Sequence, residues 1–97
     1  MEKLINIETS KDIIASSPWV IADGLKPHRI VIRNLQDEYV VHDEVLSENK
    51  GSSIGSILTY FIQGFYTKDI KKAFEDFSER ADRTLSREVI GKVEYIN

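Results

Sequence analysis

The 97-residue sequence contains no cysteine. This absence excludes a disulfide framework, a thiolate zinc site and a cysteine nucleophile, and it is typical of proteins from reducing compartments. No run of about 18 apolar residues occurs, and the first residues have no long hydrophobic stretch of the kind that directs export. We therefore expect a cytoplasmic protein with no membrane among its partners.

The sequence also lacks a strong excess of charge of either sign. Its formal net charge of -3 is too small to predict binding to a polyanion or mimicry of nucleic acid. Apolar residues make up 41% and charged residues 30%, which is typical of globular domains. Because the length is close to that of one common domain, we expect a single domain over residues 1–97.

The clearest structural pattern is a β-hairpin in the first half of the chain. Residues 28–35 are β-branched at their centre and polar at their ends, which favours a strand. Gln36 and Asp37 form the predicted turn, and residues 38–46 form the returning strand. Residues 47–56 contain Asn49, Gly51 and Gly55 and have the composition of a mobile loop.

Residues 57–67 fit two structural periods. As a helix beginning at Ser52, the apolar residues would form one face. As a strand, Ile57, Phe61 and Phe65 would lie on one face and other large apolar residues on the other. We favour a strand, since threonine, tyrosine, phenylalanine and isoleucine suit a pleated surface and a third strand would complete the sheet.

Helical spacing predicts a long helix at residues 68–84, capped by Thr67, with Phe74 and Phe77 buried. The spacing of Thr9 and Asp12 also predicts a short N-terminal helix before Pro18. Alternation at 88–96 predicts a fourth, edge strand. The expected fold class is α+β, with a small antiparallel β-meander of three to four strands packed against one long helix.

The order of the middle segments resembles that of small uncharacterised accessory proteins of phages, plasmids and other mobile elements. The resemblance rests on a strand ending near Arg33, then 38–42 (EYVVH), 60–66 (YFIQGFY) and 73–77 (AFEDF). It implies a β-meander followed by a helix and an accessory gene product. It supplies no catalytic residue.

The predicted order of helix, three-stranded meander and helix is also similar to that of double-stranded-RNA-binding domains. Such domains hold phosphates with a lysine cluster at the start of the last helix. Here Lys68, Lys71 and Lys72 are interleaved with Asp69 and followed by further acids. A nucleic-acid-binding module with αβββα topology is therefore kept as an alternative function.

The histidines, serines and carboxylates of the sequence do not form a recognisable catalytic arrangement. His28 and His42 on neighbouring strands, with Asp43 or Glu44, are the nearest approach to a zinc or iron site, but adjacent residues of a strand point to opposite faces. The serines lack a nucleophile elbow, and the paired carboxylates are sequence neighbours. We expect no catalytic residue, no metal and no cofactor, and a small enzyme is the last alternative.

A basic group at Lys26, His28, Arg29 and Arg33 has the side chains that could contact phosphates. Residues 37–48 contain five acids and no lysine or arginine, and they would lie beside the basic group in the hairpin. We therefore expect cross-strand ion pairing.

The most informative pattern is the excess of large apolar residues on both faces of the third strand, because one helix covers only one face of a sheet. We expect the N-terminal segment to cover the other face, with a homodimer or protein partner as the alternative. The predicted function is a non-enzymatic protein-interaction module of a mobile element, an inhibitor or modulator of a host protein. Its predicted interaction surface comprises Trp19, Arg29, Arg33, Tyr60 and Tyr66.

Overall fold

The computed structural model describes residues 5–22, 26–50, 56–86, 89–92 and 95–96. In this part of the chain one helix packs on one mostly antiparallel sheet, so the α+β class is confirmed. The sheet has more strands than the three to four predicted. The strands are β1 (Ile5–Glu8), β2 (Ile13–Ser16), β3 (Val20–Ala22), β4 (His28–Asn34), β5 (Tyr39–Lys50), β6 (Ser56–Thr67), β7 (Val89–Lys92) and β8 (Tyr95–Ile96).

The centre of the sheet is the predicted meander of β4, β5 and β6. The hairpin closes where Leu35 N–H donates to the Glu38 carbonyl at 2.8 Å, with Gln36 at a positive φ of 74°. The strand assignment for residues 57–67 is confirmed. The predicted loop at 47–56 is partly wrong, because 47–50 continue β5 and Ser56 begins β6. Residues 51–55 lie outside the described ranges.

The register of the meander defines the two faces of the sheet. Ile30, Asp43 and Ile62 are cross-strand partners on one face, which we call the helix face because Ile30 packs with Ala73 of the helix. Arg29 and Glu44 are partners on the other face, which we call the opposite face.

The predicted N-terminal helix is wrong. Ile13–Ser16 is strand β2, antiparallel to β4. The Asp12 carboxylate does not cap a helix but accepts two hydrogen bonds from Arg33, at 2.9 and 3.0 Å, and the β-branched Ile13 and Ile14 suit a strand. The αβββα order that suggested a double-stranded-RNA-binding domain is therefore not that of this chain.

The segment between β1 and β2 crosses the opposite face. β1 lies parallel to β6, whereas β2 lies beside β4, so residues 9–12 must pass over the strands between them. Thr9 bonds to Glu44 of β5, and Asp12 reaches Arg33 of β4. The N-terminal segment thus covers part of this face, as predicted, although Ile14 is exposed and takes no part in a core.

Helix α1 (Ile70–Ser86) confirms the predicted long helix, but it begins and ends two residues later than the predicted 68–84. Its N-cap is Asp69, whose Oδ1 accepts from Lys71 N–H at 2.9 Å, while Thr67 accepts from Asp69 N–H. α1, the one helix within the described ranges, is not long and apolar enough to cross a membrane.

The orientation of α1 differs from the prediction. Ala73 is fully buried against Ile30, Ile32 and Val41, and Phe77 is half-buried beside them. Phe74, at 42% exposure, is not buried, so that prediction is wrong. The helix lies on the sheet with a small alanine at the contact, which turns the neighbouring Phe74 toward solvent.

The predicted single edge strand at 88–96 is divided between two places. β7 pairs with β3 at one end of the sheet order, and β8 pairs with β1 at the other. Lys92 and Tyr95 are three residues apart, so their Cα atoms lie within about 11 Å. The sheet must therefore curl enough to bring its two ends close together.

Candidate functional site

The five residues predicted as an interaction surface do not lie together on one exposed face of the sheet. Trp19 and Arg29 are buried on the opposite face. Arg33 is partly buried in an ion pair, with side-chain exposure of 23%. Tyr60 and Tyr66 are exposed, but the register places them on different faces of β6. In the folded chain Trp19 and Arg29 are therefore covered by other residues, and the two tyrosines belong to separate surfaces.

A buried ion pair occupies the middle of the opposite face. Arg29 Nε lies 2.6 Å from Glu44 Oε1, and the Glu44 side chain is 0% exposed. Glu44 Oε2 also accepts hydrogen bonds from the hydroxyl groups of Thr9 and Thr59. The Trp19 ring stacks on the guanidinium, 4.7 Å from Arg29 Cζ. These contacts join β4, β5 and β6 to residues 9–12 and to Trp19, which precedes β3. The pair therefore holds several segments of the fold together.

The second arginine of the basic group is also engaged. Arg33 forms a two-point contact with Asp12 and lies 4.6 Å above the centre of the Phe61 ring. Hydrogen bonding to Arg33 is the main cause that holds the pKa of Asp12 below its ordinary value. The expected cross-strand pairing is confirmed for Arg29 with Glu44, whereas the acid that pairs with Arg33 comes from the N-terminal segment. Neither arginine presents an uncompensated charge for phosphate.

The two histidines lie on opposite faces of the sheet. His28 is paired in register with Val45 on the helix face, and its Nδ1 lies 3.0 Å from the Lys26 carbonyl. His42 is paired with Val31 on the opposite face. They cannot share a metal ion across the sheet. Within the described residues, no three histidine, aspartate or glutamate side chains are grouped as metal ligands.

His42 is buried among aromatic rings. Its ring lies 5.1 Å from that of Phe61 and 6.1 Å from that of Tyr66, and neither ring nitrogen is in hydrogen-bond geometry with a described residue. A Cβ atom at Gly64 would lie 3.0 Å from His42 Cε1. Gly64 follows Gln63, whose φ is 54°, in a β-bulge that places two residues opposite His42. Gly64 thus permits the close packing of the ring.

Burial is the main cause that lowers the pKa of His42 below its ordinary value of 6.5. The positive charges of Arg33 and Arg80 act in the same direction, and the nearby backbone of Ile62 and the charge of Asp12 offset only part of the effect. His42 is therefore neutral in the folded protein at neutral pH.

We expect the free energy of unfolding to decrease as the pH falls below 6.5. The unfolded chain then binds a proton at His42 that the folded chain excludes, so acid favours unfolding. Asp12, whose pKa is lowered from 3.8, contributes only at more acidic pH. Urea melts at about pH 7.5 and about pH 5.5 on the native chain and on His42→Leu test this. Both proteins retain His28, and an equal pH response in the two would contradict the assignment.

Arg80 fastens the helix to the sheet. Its guanidinium lies 2.8 Å from Asp76 Oδ2 and 3.4 Å from Asp43 Oδ1, and it donates to the Gln63 carbonyl at 2.6 Å. The pairing of Asp76 with Arg80 follows from their spacing along the helix. The contacts with Asp43 and with the bulge at Gln63 have no local sequence signal, because they depend on how the helix lies on the sheet.

A polar cleft of about 180 Å³ lies beside this anchor. Its lining consists of Ile30, Asp43, Gln63, Asp76, Arg80, Arg83 and Thr84. The two carboxylates already lie against Arg80. Three of the charged lining residues, Asp43, Asp76 and Arg80, are thus those that hold the helix to the sheet.

The most conspicuous surface feature is on β6. Large apolar side chains lie on the helix face of this strand and are between 36% and 42% exposed. We call them the apolar row: Leu58, Tyr60, Ile62 and Phe65. The excess of apolar residues on both faces predicted that part of β6 would need cover, but which part depends on where α1 lies.

Comparison with protein-family models, with curated proteins and with solved structures found no match for this chain.

Proposed function

We propose that this chain is a non-enzymatic protein-interaction module and that the apolar row on β6 is its binding surface. The observation that carries the proposal is the exposure of four large apolar side chains on one face of one strand, although α1 packs on the same face. Clustered apolar groups of this size are typical of interaction sites, whereas scattered single ones are not.

The composition of the row suits a protein partner. Tyr60 and Phe65 provide large, stiff side chains that gain contact area at little entropic cost. The whole of β6 carries no charged residue, so a partner would not need to desolvate an ion. The bound chain is therefore expected to present an apolar surface or an extended segment.

The biological setting is part of the same proposal. The sequence resemblance in the meander and the helix supports an accessory protein of a mobile element that inhibits or modulates a host protein in the cytoplasm. Nucleic-acid binding is less well supported, because Arg29 and Arg33 are both engaged in ion pairs. An enzymatic role is less well supported because the described cleft has compensated charges.

The proposal is tested by capture from a nuclease-treated extract of the native host with three tagged proteins. They are the native chain, Ile62→Lys on the apolar row, and Ile70→Lys on the helix. Ile62 and Ile70 are 40% and 45% exposed, so the two variants make the same change at equally accessible sites. We expect the native chain and Ile70→Lys to retain the same protein and Ile62→Lys to lose it.

Circular dichroism and urea melts of both variants provide the folding control. A parallel capture from an untreated extract serves as the comparison, and a partner that is captured only without nuclease treatment would contradict the proposal in favour of nucleic-acid binding. Capture that is insensitive to Ile62→Lys but lost with Ile70→Lys would place the binding surface on the helix instead.

A further inference from the structure

Among the residues that the structure describes, the outer edge of β6 has no strand partner along most of its length. β1 pairs with β6 only at Ser56, Ile57 and Leu58, after which the chain leaves at Thr9 to cross the opposite face. From Thr59 to Thr67, none of the strands in the described part of the chain pairs with this edge. Edge strands present N–H and C=O groups that can pair with a strand of another chain.

β6 lacks the residues that usually protect such an edge. Its sequence, SILTYFIQGFYT, contains no charged residue and no proline, although 30% of the chain is charged. Lysine, proline and inward charges are the common means of preventing edge pairing. The bulge at Gln63 interrupts the edge, so the regular open stretch is Thr59 to Ile62.

The lack of charge favours a second copy of this chain as the occupant. Two identical antiparallel edges related by a two-fold axis place each residue close to its own counterpart or near neighbour, so any charge on the strand would meet a like charge. Because β6 has no charged residue, its own side chains cause no such repulsion. A two-fold axis perpendicular to the sheet also keeps the two helix faces on the same side, which joins the two apolar rows.

We propose that two copies of this chain pair antiparallel through the open edge of β6 at 59–62 and form a continuous sheet across the dimer. The inference rests on the proposed function, since it uses the same strand: the second copy pairs with the backbone edge of β6, and the face of the apolar row stays available to the host protein. The backbone supplies the hydrogen bonds, and Tyr60 and Ile62 of the two copies lie side by side across the interface.

Sedimentation velocity on the purified full chain, from low micromolar to submillimolar concentration, tests the proposal. We expect a reversible monomer–dimer equilibrium that is retained by Ile70→Lys. In Ile62→Lys the dimer Kd should rise at least about tenfold, because an ammonium group would be placed at the joint between the rows. A native chain that stays monomeric throughout, or a dimer weakened only by Ile70→Lys, would overturn it.

Cross-linking keeps the test decisive if Ile62→Lys does not fold. Because the chain has no cysteine, Ile62→Cys and Ile70→Cys each carry one thiol. A short bismaleimide should link Ile62→Cys into dimers and leave Ile70→Cys monomeric, and the reverse pattern would overturn the pairing. A monomeric native chain whose host-protein capture is still lost with Ile62→Lys would refute the dimer but keep the proposed function. Loss of neither property would refute both.

Discussion

Replacing Glu44 with leucine should lower the free energy of unfolding by about 3–5 kcal/mol, because it leaves the Arg29 guanidinium buried without its partner. Glu44 is fully buried and also accepts hydrogen bonds from Thr9 and Thr59. Its loss therefore removes an acceptor shared by β4, β6 and the crossing segment. Urea denaturation followed by tryptophan fluorescence should report the change, since Trp19 lies on Arg29.

The matched experiment is a double-mutant cycle with Arg29→Met. The double variant should be more stable than the sum of the two single losses predicts, by more than about 1 kcal/mol, because no charge then remains unpaired. Arg33→Met provides the control, since its pair with Asp12 is partly exposed and should cost about 1 kcal/mol or less. If Glu44→Leu cost no more than this control, the buried pair would not have the role assigned to it.

Replacing Arg80 with methionine should lower the free energy of unfolding by about 2–4 kcal/mol. The change removes the cation between Asp43 and Asp76 and leaves the Gln63 carbonyl without its donor. Because these contacts join α1 to the sheet, the helix should become less protected against amide hydrogen exchange.

Arg83→Met is the control for this prediction, since it makes the same change three residues further along the same helix. Arg83 is exposed, and surface changes of this kind usually alter stability by less than about 0.5 kcal/mol. Equal stability losses in Arg80→Met and Arg83→Met would show that the anchor does not hold the helix to the sheet.

The parts of the fold that the sequence predicted well are those governed by local pattern. The β-branched centre of β4 and the turn at Gln36 and Asp37 specify the hairpin within a short stretch of chain. The aromatic and β-branched residues of β6 outweighed its helical period because β5 offered a partner edge. The apolar spacing of α1 likewise predicted a helix there.

The failures concern contacts between distant segments. Thr9 and Asp12 have the spacing of a helix start, but their side chains bind Glu44 and Arg33, which lie 35 and 21 residues further along the chain. Local spacing predicts a helical turn, but it contains no information about contacts with residues this far along the chain. The two short strands near the C-terminus were predicted as one for the same reason, since each pairs with a strand from the opposite end of the chain.

Part of the apolar row could be expected from the sequence. The abundance of apolar residues on both faces of β6 indicated that this strand needs cover, and Tyr60 is part of the apolar row. Trp19 and Arg29 resembled recognition residues because tryptophan and arginine are common at interfaces. They are instead stacked on each other beside Glu44, an arrangement that depends on the register of β4 with β5.

Amide hydrogen exchange resolved by peptide tests most directly whether β6 is the binding strand. The native chain would be measured at low concentration, at high concentration and with the captured host protein. We predict that binding slows amide exchange in the peptide covering 59–67 and leaves exchange in the peptide covering α1 unchanged. Protection that appears in α1 while the 59–67 peptide exchanges as before would contradict the account.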